Sequence, residues 1–345
     1  SELIAIWEGE KLTKQAAFET SGIKTVYWLQ QFPTIFKQMM AEAKGIYLNT
    51  NEHLRASTEV ETREDRFIKK VKSDYPAHQV YKSAPIMHKI RSVKETIELE
   101  LMQKACKITE SGFRRLLQFI KPGVWEYEIE AELAHEFLRN RSKGFAYTPI
   151  VASGKNACVL HYIENNQQCK DGDVILLDVG AEYANYSSDL TRCVPVNGRF
   201  TARQKAVYNA VLHVKKEAEK LLIPGTIMAE YHKQVGHLME EQLVNLNLIS
   251  TKDIANQKPE WPAYKKYFMH GTSHFLGLDT HDVGLWHEPI QAGMVFTCEP
   301  GIYIPEEGLG IRLEDDLVVQ ENGAPLNLMK DIPLEAEEIE DIMNA

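Results

Sequence analysis

Asp178, Asp189, His274, Glu299 and Glu314 each stand in an apolar or glycine-rich stretch, where an unpaired charge is expensive. Asp178 ends the run Val174-Ile175-Leu176-Leu177, and Glu299 follows Met294-Val295-Phe296-Thr297-Cys298. A carboxylate on a buried strand must meet something cationic to be tolerated. No basic cluster accompanies these four carboxylates and one imidazole, so the cation they imply is metal. The set suits two divalent ions in an oxygen-rich site, the equipment of a hydrolase.

Asp178 and Asp189 flank the turn-rich stretch Ala184-Asn185-Tyr186-Ser187-Ser188, which could bring both acids to one point on adjacent strands. Taken singly, an Asp ending a strand is more often a turn or capping residue. His270-Gly271-Thr272-Ser273-His274 and the following Gly277 to Asp282 concentrate histidine and glycine, which suits ligation and close backbone approach. Any one of those histidines could equally be a packing residue. Pro300-Gly301 forces a turn that fixes Glu299. Arg312 and Glu314 share one strand face by the period of two, so Arg312 could orient neighbouring carboxylates. Glu314-Asp315-Asp316 read alone is a solvated acidic turn. Other chemistries fit worse. His287-Glu288 lacks the second histidine of a zincin helix, because Gln291 stands in its place, and there is no G-x-S-x-G elbow, P-loop or G-x-G-x-x-G. Cys158 near His161 reads as a buried structural thiol rather than a nucleophile.

These residues need a frame. The spacing of Ile97, Leu101, Ala105, Ile108, Phe113, Leu116 and Leu117 predicts a long helix from Ser92 to Ile120, stopped by Pro122-Gly123 and followed by a helix from Glu126 to Asn140. About a hundred residues on, helices from Ala202 to Leu222 and Met228 to Leu246 repeat the pattern around Pro224-Gly225. Strands bearing the acid pairs follow each helix pair, with His161 and His274 preceding their own half's carboxylates. The chain therefore reads as an internal duplication with the ligands between two α/β halves. Residues 1–85 read as a smaller α/β unit: a strand Leu3–Trp7, a helix Thr13–Thr20, apolar runs broken by Gly22 and Pro33, and a charged helix Thr58–Asp74. The composition shifts at Ser83-Ala84-Pro85, which sets the domain boundary at 85/86.

The 345 residues carry a net charge of −10, which argues against a nucleic-acid partner. Five scattered cysteines without C-x-x-C spacing indicate neither a zinc knuckle nor a disulfide framework, and a reducing cytoplasm is expected. No apolar run reaches transmembrane length, and no membrane association is expected.

The segments Leu176–Tyr183 (LLDVGAEY), Ser188–Arg192 (SDLTR), His270–Gly284 (HGTSHFLGLDTHDVG), Thr297–Ile304 (TCEPGIYI) and Gly310–Asp316 (GIRLEDD) resemble the pita-bread metallopeptidases, most closely the Xaa-Pro aminopeptidases (aminopeptidase P). The resemblance covers residues 90–345. It implies an α+β pita-bread catalytic domain over 86–345, preceded by a partial N-terminal domain over 1–85. It implies two divalent ions, usually manganese with zinc, cobalt or iron as alternatives, bridged by a hydroxide that attacks the scissile carbonyl. By position Asp178 would bind one metal, His274 and Glu299 the other, and Asp189 and Glu314 both. Glu299 would shuttle the proton. His161 and His281 match substrate-contacting histidines, His270 a histidine near the proline side, and Tyr303 a supporting group. The implied substrates are peptides with proline second, and the implied assembly is a homo-oligomer, dimer or tetramer. A prolidase acting on Xaa-Pro dipeptides is the alternative, with methionine aminopeptidase behind it. A non-catalytic binding module and a creatinase-type enzyme are disfavoured because all five ligands are present. The family's N-terminal domain is larger than residues 1–85, and Leu3–Gly22 resembles its later part. The chain is therefore expected to start mid-domain; if the missing part is truly absent, an exposed sheet edge and weakened specificity would follow, and an N-terminal signal lost with it would leave the compartment open.

Overall fold

The computed structural model describes residues 2–50 and 59–345, which fall into two compact units, Ser1–Pro85 and Ile86–Ala345. In the first unit the expected strand at Leu3–Trp7 is a helix, α1 (Glu2–Glu8). Its short apolar run has no strict alternation to hold it in a sheet. Helix α2 (Lys14–Ser21) is capped by Thr13, whose hydroxyl accepts from the Ala16 amide, and ends on Gly22 at φ 71°. Pro33 does not break its segment. It occupies the first turn of α3 (Phe32–Glu42), where its missing N–H is no loss. Strand β1 (Gly45–Leu48) is followed by α4 (Arg63–Asp74), which opens on a Thr62–Asp65 capping box. The start expected at Thr58 lies outside the described residues. Strand β2 (Gln79–Lys82) pairs in parallel with β1, Ile46 opposite Val80.

Helix α5 (Ala84–Ser92) precedes a break that the periodicity did not show. Val93 bridges Met294, and the Lys94 amide donates to the Gly293 carbonyl at 2.9 Å, so α6 begins only at Thr96 and runs to Phe119. Met102, Ala105, Phe113 and Leu116 form its buried stripe. Helix α7 (Glu126–Arg139) lies so close that a Cβ on Gly112 would stand 2.8 Å from the Phe137 ring. Strands β3 (Ile150–Ser153), β4 (Val174–Val179) and β7 (Leu190–Pro195) form an antiparallel sheet in the order β3-β4-β7. The hairpin β5 (Glu182–Tyr183) and β6 (Tyr186–Ser187) turns through Ala184 and Asn185, both at positive φ, between β4 and β7.

The second half repeats the order with α8 (Ala202–Glu219), α9 (Met228–Asn245) and the short α10 (Thr251–Ala255). Then follow β8 (Val295–Cys298), β9 (Gly301–Ile304), β10 (Leu309–Arg312), β11 (Asp315–Val318), β12 (Leu326–Asn327) and α11 (Ala336–Met343). Its strands pair as β12-β11-β8 and β10-β9. The halves join where the Glu314 amide donates to the Thr191 carbonyl at 3.0 Å.

A buried ionic network backs that joint. Arg192 donates to the Glu314 and Pro333 carbonyls and to the Asp315 carboxylate, and Lys215 reaches the same carboxylate at 2.5 Å. Arg192 and Lys215 are fully buried. Removing one partner of such a set strands charge in the core. We expect Lys215→Met to destabilise the protein by about 3 kcal/mol, read as a lowered urea midpoint. An unchanged midpoint would show that Arg192 alone suffices.

Candidate metal centre

Asp178 lies on β4 opposite Thr191 of β7, so the antiparallel register brings Asp178 beside the residues that follow Asp189. Glu314 sits just beyond β10, in a bridge to Thr191. Glu299 follows β8, with Pro300 and β9 immediately after it. His274 reaches the same place from a segment whose Phe275 bridges Phe296 of β8. Gly180 is required for this convergence. A Cβ there would lie 1.9 Å from the Ser188 carbonyl oxygen, which belongs to the residue before Asp189.

The donor atoms of Asp189, His274 and Glu314 all lie within 4.8 Å of one another, the one such set of three among the described residues. His274 Nε2 stands 3.5 Å from Asp189 Oδ2 and 3.6 Å from Glu299 Oε1. Its Nδ1 faces the Phe275 carbonyl at 2.9 Å, which holds that nitrogen as the N–H and turns Nε2 toward the acids. Asp178 joins the group through Tyr147, whose hydroxyl is 2.6 Å from both Asp178 Oδ1 and Asp189 Oδ1.

Burial holds Glu299, Glu314 and Asp178 out of their ordinary ionisation. Glu299 is pushed up to about 7 by burial, with Asp189 and Asp178 adding to the effect against the pull of His274 and Arg312. Glu314 is raised well above the carboxylate range by burial and then by Asp189, Glu299 and Asp178. Burial also raises Asp178, although Arg312 opposes it. Arg312 is the guanidinium within the cluster, and its Nη2 is already given to Asp178. Oxygen donors with one imidazole, short of positive charge, are what a divalent ion would complete, so these residues fit the metal.

Arg312 does more than pair with Asp178. Its Nε donates to Thr191 Oγ1 at 3.1 Å, and that hydroxyl donates to Glu314 Oε2 at 2.6 Å. Arg312 and Glu314 therefore face one point as the two-residue spacing predicts, although β10 ends at Arg312. Glu314, Asp315 and Asp316 are all buried, so the acidic-turn reading fails here. Arg312 Nη1 also donates to Tyr303 Oη, which stands 2.8 Å from His270 Nε2, while His270 Nδ1 faces the Gly271 carbonyl at 2.8 Å. A carbonyl only accepts, so Nδ1 carries the proton and Tyr303 donates to Nε2. Burial, and then Arg312, push His270 down to about 3, so it is neutral.

His281 packs edge-on against His274, ring centroids 4.4 Å apart, and is exposed. His161 is exposed on the turn after residues 154–158. The sequence reading missed Tyr147, Thr191 and His232, whose Nδ1 accepts from the Thr272 amide at 3.3 Å. Tyr147 is far from every acid in sequence and carries no motif. Thr191 lies inside SDLTR, where its place opposite Asp178 on the paired strand was the available signal.

The model of metallopeptidase family M24 matches residues 100–321, and that of the aminopeptidase P N-terminal domain matches residues 1–47. The chain belongs to metallopeptidase family M24, with that family's α+β pita-bread fold, and is a metallo-aminopeptidase. Within the family it is similar to the Xaa-Pro aminopeptidase of Haemophilus influenzae, 34% identical over 354 residues that cover 99% of this chain and 79% of that one. Its structure is similar to that of aminopeptidase P from Escherichia coli in a low-pH form, with a TM-score of 0.89 and 32% identity over 100% of this chain and 80% of the other. The Xaa-Pro dipeptidase of Mus musculus is 32% identical over 306 residues, 75% of this chain and 61% of that protein.

Tyr147 gives the centre a test. Groups that orient metal ligands typically matter about tenfold or more in affinity. We expect Tyr147→Phe to weaken divalent-metal binding roughly tenfold, measured by competition with a chromophoric chelator. Undiminished affinity would mean the hydroxyl does not position the two aspartates.

Proposed function

We propose that this chain releases the N-terminal residue from peptides whose second residue is proline. The observation that carries the reading is the convergence of the buried Asp189, His274 and Glu314 with the half-buried Asp178 and Glu299, beside a hydrogen-bonded chain that runs from neutral His270 through Tyr303 to the Arg312 cation. Asp178 would hold one divalent ion, His274 and Glu299 the second, and Asp189 and Glu314 both, with manganese the favoured metal. Bound there, such a pair supplies a polarised carbonyl and a nucleophilic water at neutral pH.

The remaining roles belong to side chains. Glu299, whose Oε1 stands 3.6 Å from His274 Nε2, is placed to take a proton at its other carboxylate oxygen and return it to the leaving nitrogen. That delivery matters for proline, because an X-Pro nitrogen carries no hydrogen of its own before cleavage. His161 and His281, both exposed, would contact the substrate and stabilise the tetrahedral intermediate or the leaving nitrogen. His270 would stand on the proline side. Arg312 holds Asp178 and Tyr303 in place. Residues 86–345 would form the catalytic domain and residues 1–85 the N-terminal one, and a homo-oligomer is the proposed assembly. All five cysteines are unpaired, which supports a reducing compartment such as the cytoplasm. No helix among the described residues is long and apolar enough to cross a membrane.

A dipeptidase is the competing reading. Its mouse relative aligns with 75% of this chain, against 99% for the aminopeptidase, which favours longer peptides as substrates. Rates on Xaa-Pro-Yaa and Xaa-Pro decide between them, and faster cleavage of the dipeptide would overturn the aminopeptidase reading. Asp189→Ala and Glu314→Ala should each lower kcat by at least about a thousandfold and reduce metal content. Full activity in either variant would refute the ligand assignment. Chelation should abolish turnover and lower the melting temperature, because a metal that binds only the folded state stabilises it.

A further inference from the structure

Arg91 and Lys94, near the start of the second unit, converge on one buried carboxylate far from them in sequence. Lys94 Nζ lies 3.4 Å from Asp282 Oδ2, and both side chains are 1% exposed. Arg91 donates to Asp282 Oδ1 as well, and reaches Asp279 at 2.8 Å. The main chain of Lys94 is fixed independently by its amide bond to the Gly293 carbonyl.

Asp282 follows His281 and shares an anchor with His274. Its amide donates to the Phe275 carbonyl at 2.9 Å, the same oxygen that accepts from His274 Nδ1. Its Oδ1 accepts from the Val283 amide at 2.8 Å, which closes the turn after His281. The fit leaves no slack, since a Cβ on Gly277 would lie 2.3 Å from Asp282 Oδ2 and 2.9 Å from Lys94 Cε. The Gly277 carbonyl in turn accepts from the Ser187 amide at 2.8 Å, two residues before Asp189. Bringing a lysine into a dry site costs several kcal/mol unless its partner is fixed. Holding this loop is a role that the expense can serve.

We propose that Lys94, assisted by Arg91, is a positioning residue for His281: by clamping Asp282 it sets the height of the 277–283 loop and so where the His281 ring stands against His274. This rests on the reading above that His281 contacts the substrate. A ring displaced by about 1 Å loses on the order of a hundredfold in favourable cases, and a smaller shift loses less.

The test is a double-mutant cycle on the manganese-loaded full chain with an Xaa-Pro-Yaa tripeptide. We expect His281→Ala to lower kcat about a hundredfold and Lys94→Met about tenfold, with KM within about twofold. In the His281→Ala background Lys94→Met should cost less than about twofold. An equal cost of Lys94→Met in both backgrounds at unchanged metal content overturns the clamp. If Lys94→Met does not fold, Arg91→Met, at a partly exposed side chain, enters the same cycle with the same expectations. Unchanged turnover in His281→Ala overturns the histidine's role and the clamp with it, while Asp189→Ala still reports on the metal site separately.

Discussion

Three successive acids, Glu314, Asp315 and Asp316, are buried together, and the structure depends on how their charges are disposed of. Glu314 points to the metal-ligand cluster, where Thr191 donates to it. Asp315 turns to Arg192 and Lys215, which hold it below the usual carboxylate range even though burial works the other way. Asp316 accepts from the Asp189 amide and the Cys106 thiol, and burial followed by Asp189 raises it well above that range. One short segment therefore carries a candidate ligand, a salt-bridged anion and a hydrogen-bonded acid. Shifting the segment by a residue would give each acid the wrong partner.

The same economy of contacts links packing to chemistry. Thr191 belongs to the first half through its pairing with Asp178 and to the second through its bridge to Glu314. Its hydroxyl relays between Arg312 and Glu314, so the joint between the halves and the inner wall of the site are one structure. Low dielectric strengthens each of these contacts and makes any missing partner costly. A fault in the joint would consequently reach the candidate ligands before it reached the outer helices.

How much could be read from the residues alone follows from the range of the forces involved. The long helices were legible because the core stripe repeats within a few residues, as at Met102, Ala105 and Phe113. The convergence of Asp189, His274 and Glu314 was legible because a charge inside an apolar stretch needs a partner wherever that partner lies. Residues 3–7 misled because a short apolar run fits helix and strand alike, and Pro33 because a proline that opens a helix looks like one that ends it. Tyr147 was invisible because its partners lie 31 and 42 residues away, and nothing local distinguishes it from a core tyrosine. The late start of α6 at Thr96 escaped for the same reason, because its cause is the Gly293 carbonyl.

His270 carries a last consequence. One ring nitrogen is committed to the Gly271 carbonyl and the other to Tyr303. The imidazole has neither donor nor acceptor to spare, and it holds no charge. Whatever rests against it meets a carbon rim, which rewards a saturated ring and gives nothing to a polar side chain. If His270 stands on the proline side as proposed, a histidine locked in this way would discriminate by what it withholds.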